Sequence, residues 1–399
     1  MVRGREASTR WRRAHVVAAP IAGGVFDHVL DAARFDPDGP VPIVVPPWPG
    51  LDRAVRRAAA LGVEVLRLAP APRAGGVGDW LASRPLELVH MHYATPFDCT
   101  VAVEAALATG IAVVSTDHTD PVAAAAEHAA PAAAWARRRR VAPLQAARLA
   151  DSAAIASGLA PELGCPVQVV AHGIDVEHFA ASPPRPAARQ ALGLDPQRAV
   201  VGVVAALFGS KRVDRVLAAA AQLEPPALVL VAGEGPERPR LAALAAALAV
   251  ETRFLGWVDD VRPVLAAADV LAHASRVEGL PSVVLQAMAA GVPVVATDVP
   301  GTAEALGPHG ARVQHDDDGR FAAALARALA GRHHTDREAA RARVAAYFDA
   351  RRMAAAIGGV HRAALAARVS RPPADVAPRA TVSRCRSARL ARAADPHPS

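Results

Sequence analysis

The chain has 399 residues, 52% hydrophobic and 21% charged, which supplies two real cores and excludes a disordered chain. Its net charge of +7 is local: residues 1–13 carry five Arg and one Glu, residues 370–399 six Arg and two Asp, +4 each, so the body stands at −1 and a nucleic-acid partner loses its support. Three scattered cysteines, Cys99, Cys165 and Cys385, form neither a disulfide framework nor a C-x-x-C metal clip and fit a reducing, cytoplasmic setting.

Arg12-Arg13 before H-V-V-A-A-P-I-A-G-G has the outline of a signal peptide, but the apolar run is short and broken by Pro20. It reads instead as a first buried strand, Val16–Ala19, followed by a glycine turn at Gly23-Gly24. Short apolar runs then alternate with Ala-rich helical stretches, the pattern of parallel sheets covered on both faces. The expected strands are Ile43–Val45, Val63–Leu68, Leu86–His90, Ile111–Ser115, Ser152–Ala156 and Val167–Val170. Pro183, Pro184 and Pro186 mark a linker, and the pattern restarts with Val200–Val204, Ala227–Ala232, Thr252–Leu255, Val270–His273, Val292–Ala296 and Ala311–Val313. A helix follows from about 336 to 368, broken at Ile357-Gly358-Gly359, and the Pro-, Arg- and Ser-rich end reads as disordered. No run approaches the ~18 apolar residues of a membrane span. The expected class is α/β: a first Rossmann-like domain over 14–180, a second over 187–335, helices over 336–368 that pack back on the body, and a basic tail over 370–399.

The most informative stretch is S-R-V-E-G-L-P-S-V-V-L-Q-A-M-A-A-G, residues 275–291. Glu278 stands in a Gly-Pro loop, and a helix starting near Ser282 carries Gln286. Such a helix start offers unpaired N–H groups and a positive dipole end to an anion. A carboxylate beside a phosphate-sized anion site suits a sugar nucleotide.

Four longer stretches accompany it, V-A-G-E-G-P-E-R-P-R-L (231–241), F-L-G-W-V-D-D-V (254–261), A-A-A-D-V-L-A-H-A-S-R-V-E-G-L-P (266–281) and V-V-A-T-D-V-P-G-T-A-E (294–304), and four shorter ones come earlier, G-G-V, H-M-H, T-D-H and A-H-G-I-D. Together they resemble the retaining GT-B glycosyltransferases of the family-4 group (glycosyl transferases group 1), over about residues 14–368. The resemblance implies two Rossmann-like domains facing across a cleft, a nucleoside-diphosphate sugar as co-substrate, no other cofactor and no metal.

By resemblance, Glu278 contacts donor-sugar hydroxyls and offsets positive charge developing on the ring, with Gly279, Leu280, Pro281 and Ser282 around it. Position 286, a glutamate in the family, binds the ribose; Gln286 still accepts a hydroxyl bond but carries no charge. Lys211 keeps the place of a lysine that neutralises the diphosphate, whereas the family's arginine five residues earlier is Ala206, and Arg212 is the nearby candidate substitute. Gly301 and Glu304 match a loop near the donor, though Glu304 suits ordinary helix capping equally. In the first half, Gly23 and Gly24 lie near donor phosphates and acceptor or simply form a tight turn. His118 faces the donor sugar, and His92, sharing a strand face with His90, lies by the acceptor. A His90/His92/His118 metal site lacks a completing Cys or Glu. Asp316–Asp318 reads as a solvated helix cap, and Arg137–Arg140 as a solvated helix face rather than a contact with anionic lipid.

The expected function is therefore retaining transfer of a sugar to a hydroxyl of a glycan or glycolipid, in the cytoplasm or at the inner face of the membrane. Two alternatives are a degenerate GT-B binding or partner subunit, motivated by Ala206 and Gln286, and a sugar-nucleotide epimerase.

Overall fold

A computed structural model describes residues 11–17, 23–47, 49–68, 80–81, 83–95, 97–120, 132–331 and 337–369. The expected tail over 370–399, most of the basic N-terminal segment and the end of the first expected strand lie outside these residues. The apolar runs form two all-parallel sheets. The first orders its seven strands β3-β2-β1-β4-β5-β6-β7: β1 Arg13–Val17, β2 Ile43–Val45, β3 Val65–Arg67, β4 Leu88–Tyr93, β5 Ala112–Asp117, β6 Ala147–Ala150 and β7 Gln168–Val169. The second orders six as β10-β9-β8-β11-β12-β13: β8 Val200–Val204, β9 Leu228–Ala232, β10 Thr252–Gly256, β11 Val270–His273, β12 Val294–Thr297 and β13 Ala311–Val313. Each sheet reverses its order beside its first strand, between β1 and β4 and between β8 and β11. That crevice is where doubly wound folds hold ligands.

Near-continuous Val and Leu runs suit strands covered on both faces. In β8, Val201 and Val203 pack with Val216, Leu217 and Phe321, while Val200 on the opposite face packs with Leu230 and Val264. In the first sheet, Val16, Val89 and Val113 meet Val103 and Ala106 on one side. Leu88, Val114 and Leu149 meet Met353 and Ile357 on the other. Fully burying one such side chain contributes about 1.5–3 kcal/mol.

Two expectations are corrected. Residues 152–156 are the start of a helix, Ala153–Leu163, whose cap Ser152 accepts from Ile155 N at 3.2 Å; the strand is β6 just before it. The helical end of the chain does not break at Gly358-Gly359. It breaks at Phe348-Asp349, between helices Arg337–Tyr347 and Ala350–Val369. There Ile174 N donates to Phe348 O and Ala350 N to Ile174 O, both at 2.8 Å, so the backbone leaves the helix to pair with a distant segment. Gly358 instead admits close packing: a methyl there would stand 3.0 Å from Pro37 Cγ. The last helix crosses back onto the first sheet, while Arg337–Tyr347 stays on the helix Ser282–Ala290. Among the described residues no helix is long and apolar enough to cross a membrane.

Candidate active site

Strand β11 ends at His273, and a loop carries the chain to Pro281, where the nine-residue helix Ser282–Ala290 begins. No side chain caps that start, and the N–H groups of Ser282 and Val283 have no backbone acceptor among the described residues. The helix closes at Gly291 in the left-handed conformation, φ 73°. Glu278 is 11% exposed in the loop. Lys211 Nζ donates to its Oε1 at 2.6 Å, and His273 Nε2 stands 3.2 Å from the same oxygen. Burial alone pushes this carboxyl up, but the Lys211 charge and the neighbouring His273 outweigh it, and the net direction is well below the ordinary carboxylate range. Glu278 is therefore an anion at any physiological pH.

Lys211 ends a short 3-10 turn, Gly209–Lys211, after β8. Arg212 then adopts φ 49°, a left-handed conformation unusual for a non-glycine residue, and starts the helix Val213–Ala220. Its guanidinium is paired with Asp214, the Nε donating to both carboxylate oxygens at 3.2 Å. Arg276 was not singled out by sequence reasoning. Its N donates to Ser210 O at 2.8 Å, tying the Glu278 loop to the Lys211 turn, and its exposed side chain has no partner among the described residues. Gln286 lies in the second turn of the helix, 8% exposed, and Leu280 anchors the loop in the core with Val283 and Ile174.

The first sheet closes against this surface at three points. Gly24 begins the helix Gly24–Arg34 just after Gly23, and a methyl on Gly24 would stand 3.2 Å from Ser282 Oγ. At Gly279 a methyl would collide with His118 O, and at Gly301 with Gly279 O, so three backbones stack with no room for a Cβ. Glu304, in the helix Pro300–Leu306, accepts from Ala153 N at 2.9 and 3.2 Å. It caps the helix Ala153–Leu163 of the other sheet rather than its own, a favourable place for a carboxylate.

The histidines differ from expectation. His118 has its imidazole 2% exposed, with Nδ1 3.1 Å from Asp151 Oδ2 and Nε2 3.0 Å from His92 Nδ1. His92 is fully buried, with its Nε2 2.9 Å from His15 Nδ1. Both nitrogens of each ring are engaged inside the domain, so neither imidazole faces a sugar or an acceptor; His118 meets the site through its carbonyl. His28, on the helix Gly24–Arg34, also escaped sequence reasoning: its ring centroid is 4.5 Å from His118 and 5.0 Å from His172. Its only local signal is a polar residue on the buried side of an amphipathic helix.

Elsewhere, Asp317 caps the helix Asp318–Leu329 by accepting from Arg320 N, and Asp318 pairs with Arg215. Arg138 is buried on Asp117, Arg137 and Arg140 hold Glu104, and Arg139 reaches Glu162. Arg138 alone of this run is buried, and the other three form ion pairs on an exposed helix face. A cavity of about 270 Å³ lined by Arg185, Asp269, Gly291 and Arg341 lies at the C-terminal end of the Ser282–Ala290 helix, away from Glu278.

Comparison with known proteins agrees with this layout. Residues 184–345 match the family model described as Glycosyl transferases group 1. The chain is 31% identical over 214 residues to a GDP-mannose-dependent alpha-mannosyltransferase of Mycobacterium tuberculosis (strain CDC 1551 / Oshkosh), covering 52% of this chain and 54% of that one. It is 40% identical over 168 residues to a D-inositol 3-phosphate glycosyltransferase of Mycobacterium sp. (strain KMS), covering 39% and 38%. The matched stretch thus spans about half of the first relative and less of the second. Anabaena Alr3699/HepE, solved in complex with UDP, superposes with a TM-score of 0.74 at 21% identity over 88% of this chain and 99% of its own. WaaG, a glycosyltransferase involved in lipopolysaccharide biosynthesis, gives 0.66 at 20% identity over 87% and 99%. The architecture of this chain is GT-B.

Proposed function

We propose that this chain, with the group 1 glycosyl transferase pattern in its second Rossmann-like domain and a GT-B fold, is a retaining glycosyltransferase. It would move a sugar from a nucleoside-diphosphate sugar to a hydroxyl of a glycan or glycolipid. The observation that carries the reading is the Lys211–Glu278 pair, set beside the uncapped start of the Ser282–Ala290 helix and faced by Gly24. A cation and free N–H groups suit a diphosphate, and an anion next to them suits the hydroxyls and growing positive charge of a sugar ring.

In this reading Lys211 and the Ser282 helix start take the diphosphate, and exposed Arg276 supplies the second cation that Ala206 lacks. Gln286 accepts from the ribose, and Glu278 takes the sugar hydroxyls. No further cofactor enters, and these groups, rather than an ion, meet the diphosphate charge. His118 is a positioning residue: its ring is locked between His92 and Asp151, and its carbonyl sets the place of Gly279. In the transfer, the bond from the anomeric carbon to the leaving phosphate breaks and the acceptor oxygen bonds the same face. The acceptor proton goes to the departing phosphate. The acceptor enters beside Gly23 and Gly24, and closure of the sheets excludes water that would hydrolyse the donor.

A second reading, a GT-B subunit that binds without turnover, is favoured by Ala206 together with Gln286. Thermal unfolding of the full chain against UDP, GDP, ADP, dTDP and their sugar conjugates decides. Ligand at 100 times its dissociation constant adds about 2.7 kcal/mol of stability. A rise with one base class names the base of the donor, and product formed on adding an acceptor then separates transfer from binding alone; a flat response at millimolar ligand supports a partner subunit that has lost the donor.

A further inference from the structure

Among the described residues, seven histidines are buried on and around the first sheet, His15, His28, His90, His92, His118, His172 and His361, none more than 7% exposed. Six of them are joined in files or rest near carboxylates. His361 Nε2 is 3.0 Å from His90 Nδ1, and His90 Nε2 is 2.7 Å from Thr116 Oγ1. His15, His92 and His118 run in line to Asp151, and His172 Nδ1 lies 4.0 Å from the same carboxylate. His28 is the exception: it is 0% exposed, and neither ring nitrogen has a hydrogen-bond partner among the described residues. Leaving a buried polar group unmatched costs about 1–3 kcal/mol. The rings around His28 are other imidazoles: His118, His172 and His92, at centroid distances of 4.5, 5.0 and 5.8 Å.

We propose that His28, His92 and His118 bind one divalent transition-metal ion of the zinc class, beneath the floor of the cleft. One nitrogen from each of these three rings lies within 4.8 Å of the other two. His92 Nδ1 and His118 Nε2 stand 3.0 Å apart, close to the roughly 3.3 Å between two imidazole nitrogens that share a tetrahedral zinc at about 2.0–2.1 Å. A rotation of His28 brings in the third ligand. A histidine ligand normally donates its outer N–H to an acceptor that fixes its orientation. Those acceptors are present: Asp151 Oδ2 on His118 Nδ1 at 3.1 Å, and His15 Nδ1 on His92 Nε2 at 2.9 Å. The Asp151 carboxylate also offsets part of the ion's charge.

His15, His90 and His92 also bring nitrogens within 4.8 Å of one another. That trio is the poorer site, because both nitrogens of His90 are engaged and binding would break one of those bonds. At the His28 trio, only the His92–His118 contact is exchanged. The ion would pin the glycine-turn helix to the ends of β4 and β5, and so fix the His118 carbonyl against Gly279.

The test uses the purified full chain, stripped by chelator dialysis and titrated with Co²⁺ alone, watching the visible ligand-field band and its displacement by Zn²⁺. One equivalent should saturate a band of four- or five-coordinate intensity. The band should vanish in His28→Gln and persist in His361→Gln, a buried histidine outside the trio. X-ray absorption of the zinc-loaded wild type should count three imidazoles, a readout that stands if His28→Gln fails to fold. The proposal is overturned by a folded wild type with no saturable band, or by a band that survives in folded His28→Gln. Loss of the band on His90→Gln with fewer than three imidazoles counted, or a water alone bonded to His28 in a crystal of zinc-soaked protein, also overturns it.

Discussion

Lys211 and Glu278 are bonded to each other, Nζ to Oε1 at 2.6 Å, and they come from loops that follow different strands of the second sheet. The pair puts two opposite charges where a bound donor would need both. In the proposed function, a phosphate that reaches Lys211 would take it in part from Glu278, free the carboxylate for the sugar and so couple diphosphate and sugar binding through one hydrogen bond.

Glu278→Gln separates the two roles. The neutral amide leaves Lys211 with less competition, so nucleoside diphosphate should bind as tightly as in the wild type or a few-fold tighter. Transfer should fall about 100-fold or more, the scale seen when one electrostatic contact to a transition state is lost. Calorimetric binding of the diphosphate, set beside turnover with the donor identified by thermal unfolding, measures both. Equal losses in the two would mean that the residue only holds the loop.

Ala206→Arg restores a cation at the position where the resembling family carries one. Donor affinity should rise about tenfold, about 1.4 kcal/mol, with little change in kcat. Arg276→Ala should move affinity the other way by a similar factor. If Arg276→Ala leaves affinity untouched while Ala206→Arg raises it, Lys211 and the helix start carry the diphosphate unaided.

Gly301→Ala drives a methyl into the Gly279 carbonyl. The stack from Gly301 through Gly279 to His118 must then open, at about 1–3 kcal/mol. The unfolding midpoint should drop by a few degrees and activity should fall well beyond that loss of folded protein. A variant with normal activity would show that the stack does not set the site.

Stability should decline on the acid side of neutrality. Burial pushes His172 down to about 4 and His361 down to about 3. As pH falls below about 6.5, the unfolded chain takes up protons that the folded chain refuses. Each such histidine then removes up to about 1.4 kcal/mol per pH unit, until the pH reaches its folded value. Above pH 6.5 these groups contribute no slope. Glu278, held low, adds stability that is complete above its ordinary value near 4.5 and lost only as pH falls further. Urea unfolding at a series of pH values, repeated with His361→Phe to remove one titrating group, reads the slope directly.

The strands were legible because a strand covered on both faces needs an unbroken apolar run, and V-V-G-V-V or L-V-L-V-A is hardly anything else. Ser152–Ala156 misled because S-A-A-I-A is equally apolar in a helix, and only the capping bond of Ser152 distinguishes the two. Gly358-Gly359 looked like a break, yet Gly358 makes room for Pro37, a neighbour more than three hundred residues away. Glu278 and Lys211 were legible from loops flanked by clear strands. His28, His273 and Arg276 were not, since each matters through neighbours that only the fold brings near: the rings of His118 and His172, Glu278, and the Lys211 turn. The inward turn of His92 and His118 was hidden for the same reason: His15 and Asp151 claim their nitrogens from other strands.

The return of the helix Ala350–Val369 to the first sheet has a consequence for how the protein is made. Chains leave the ribosome amino end first, and domains commonly fold in that order. Here the sheet synthesised first cannot cover Leu88, Val114 and Leu149 until Met353 and Ile357 arrive, and His90 lacks its bond until His361 does. The strands of the second sheet have all emerged by then. The half of the molecule that is translated last is free to finish first, and a chain released after Phe348 would keep Val344 and Phe348 on the second domain while the first sheet shows an apolar face to chaperones.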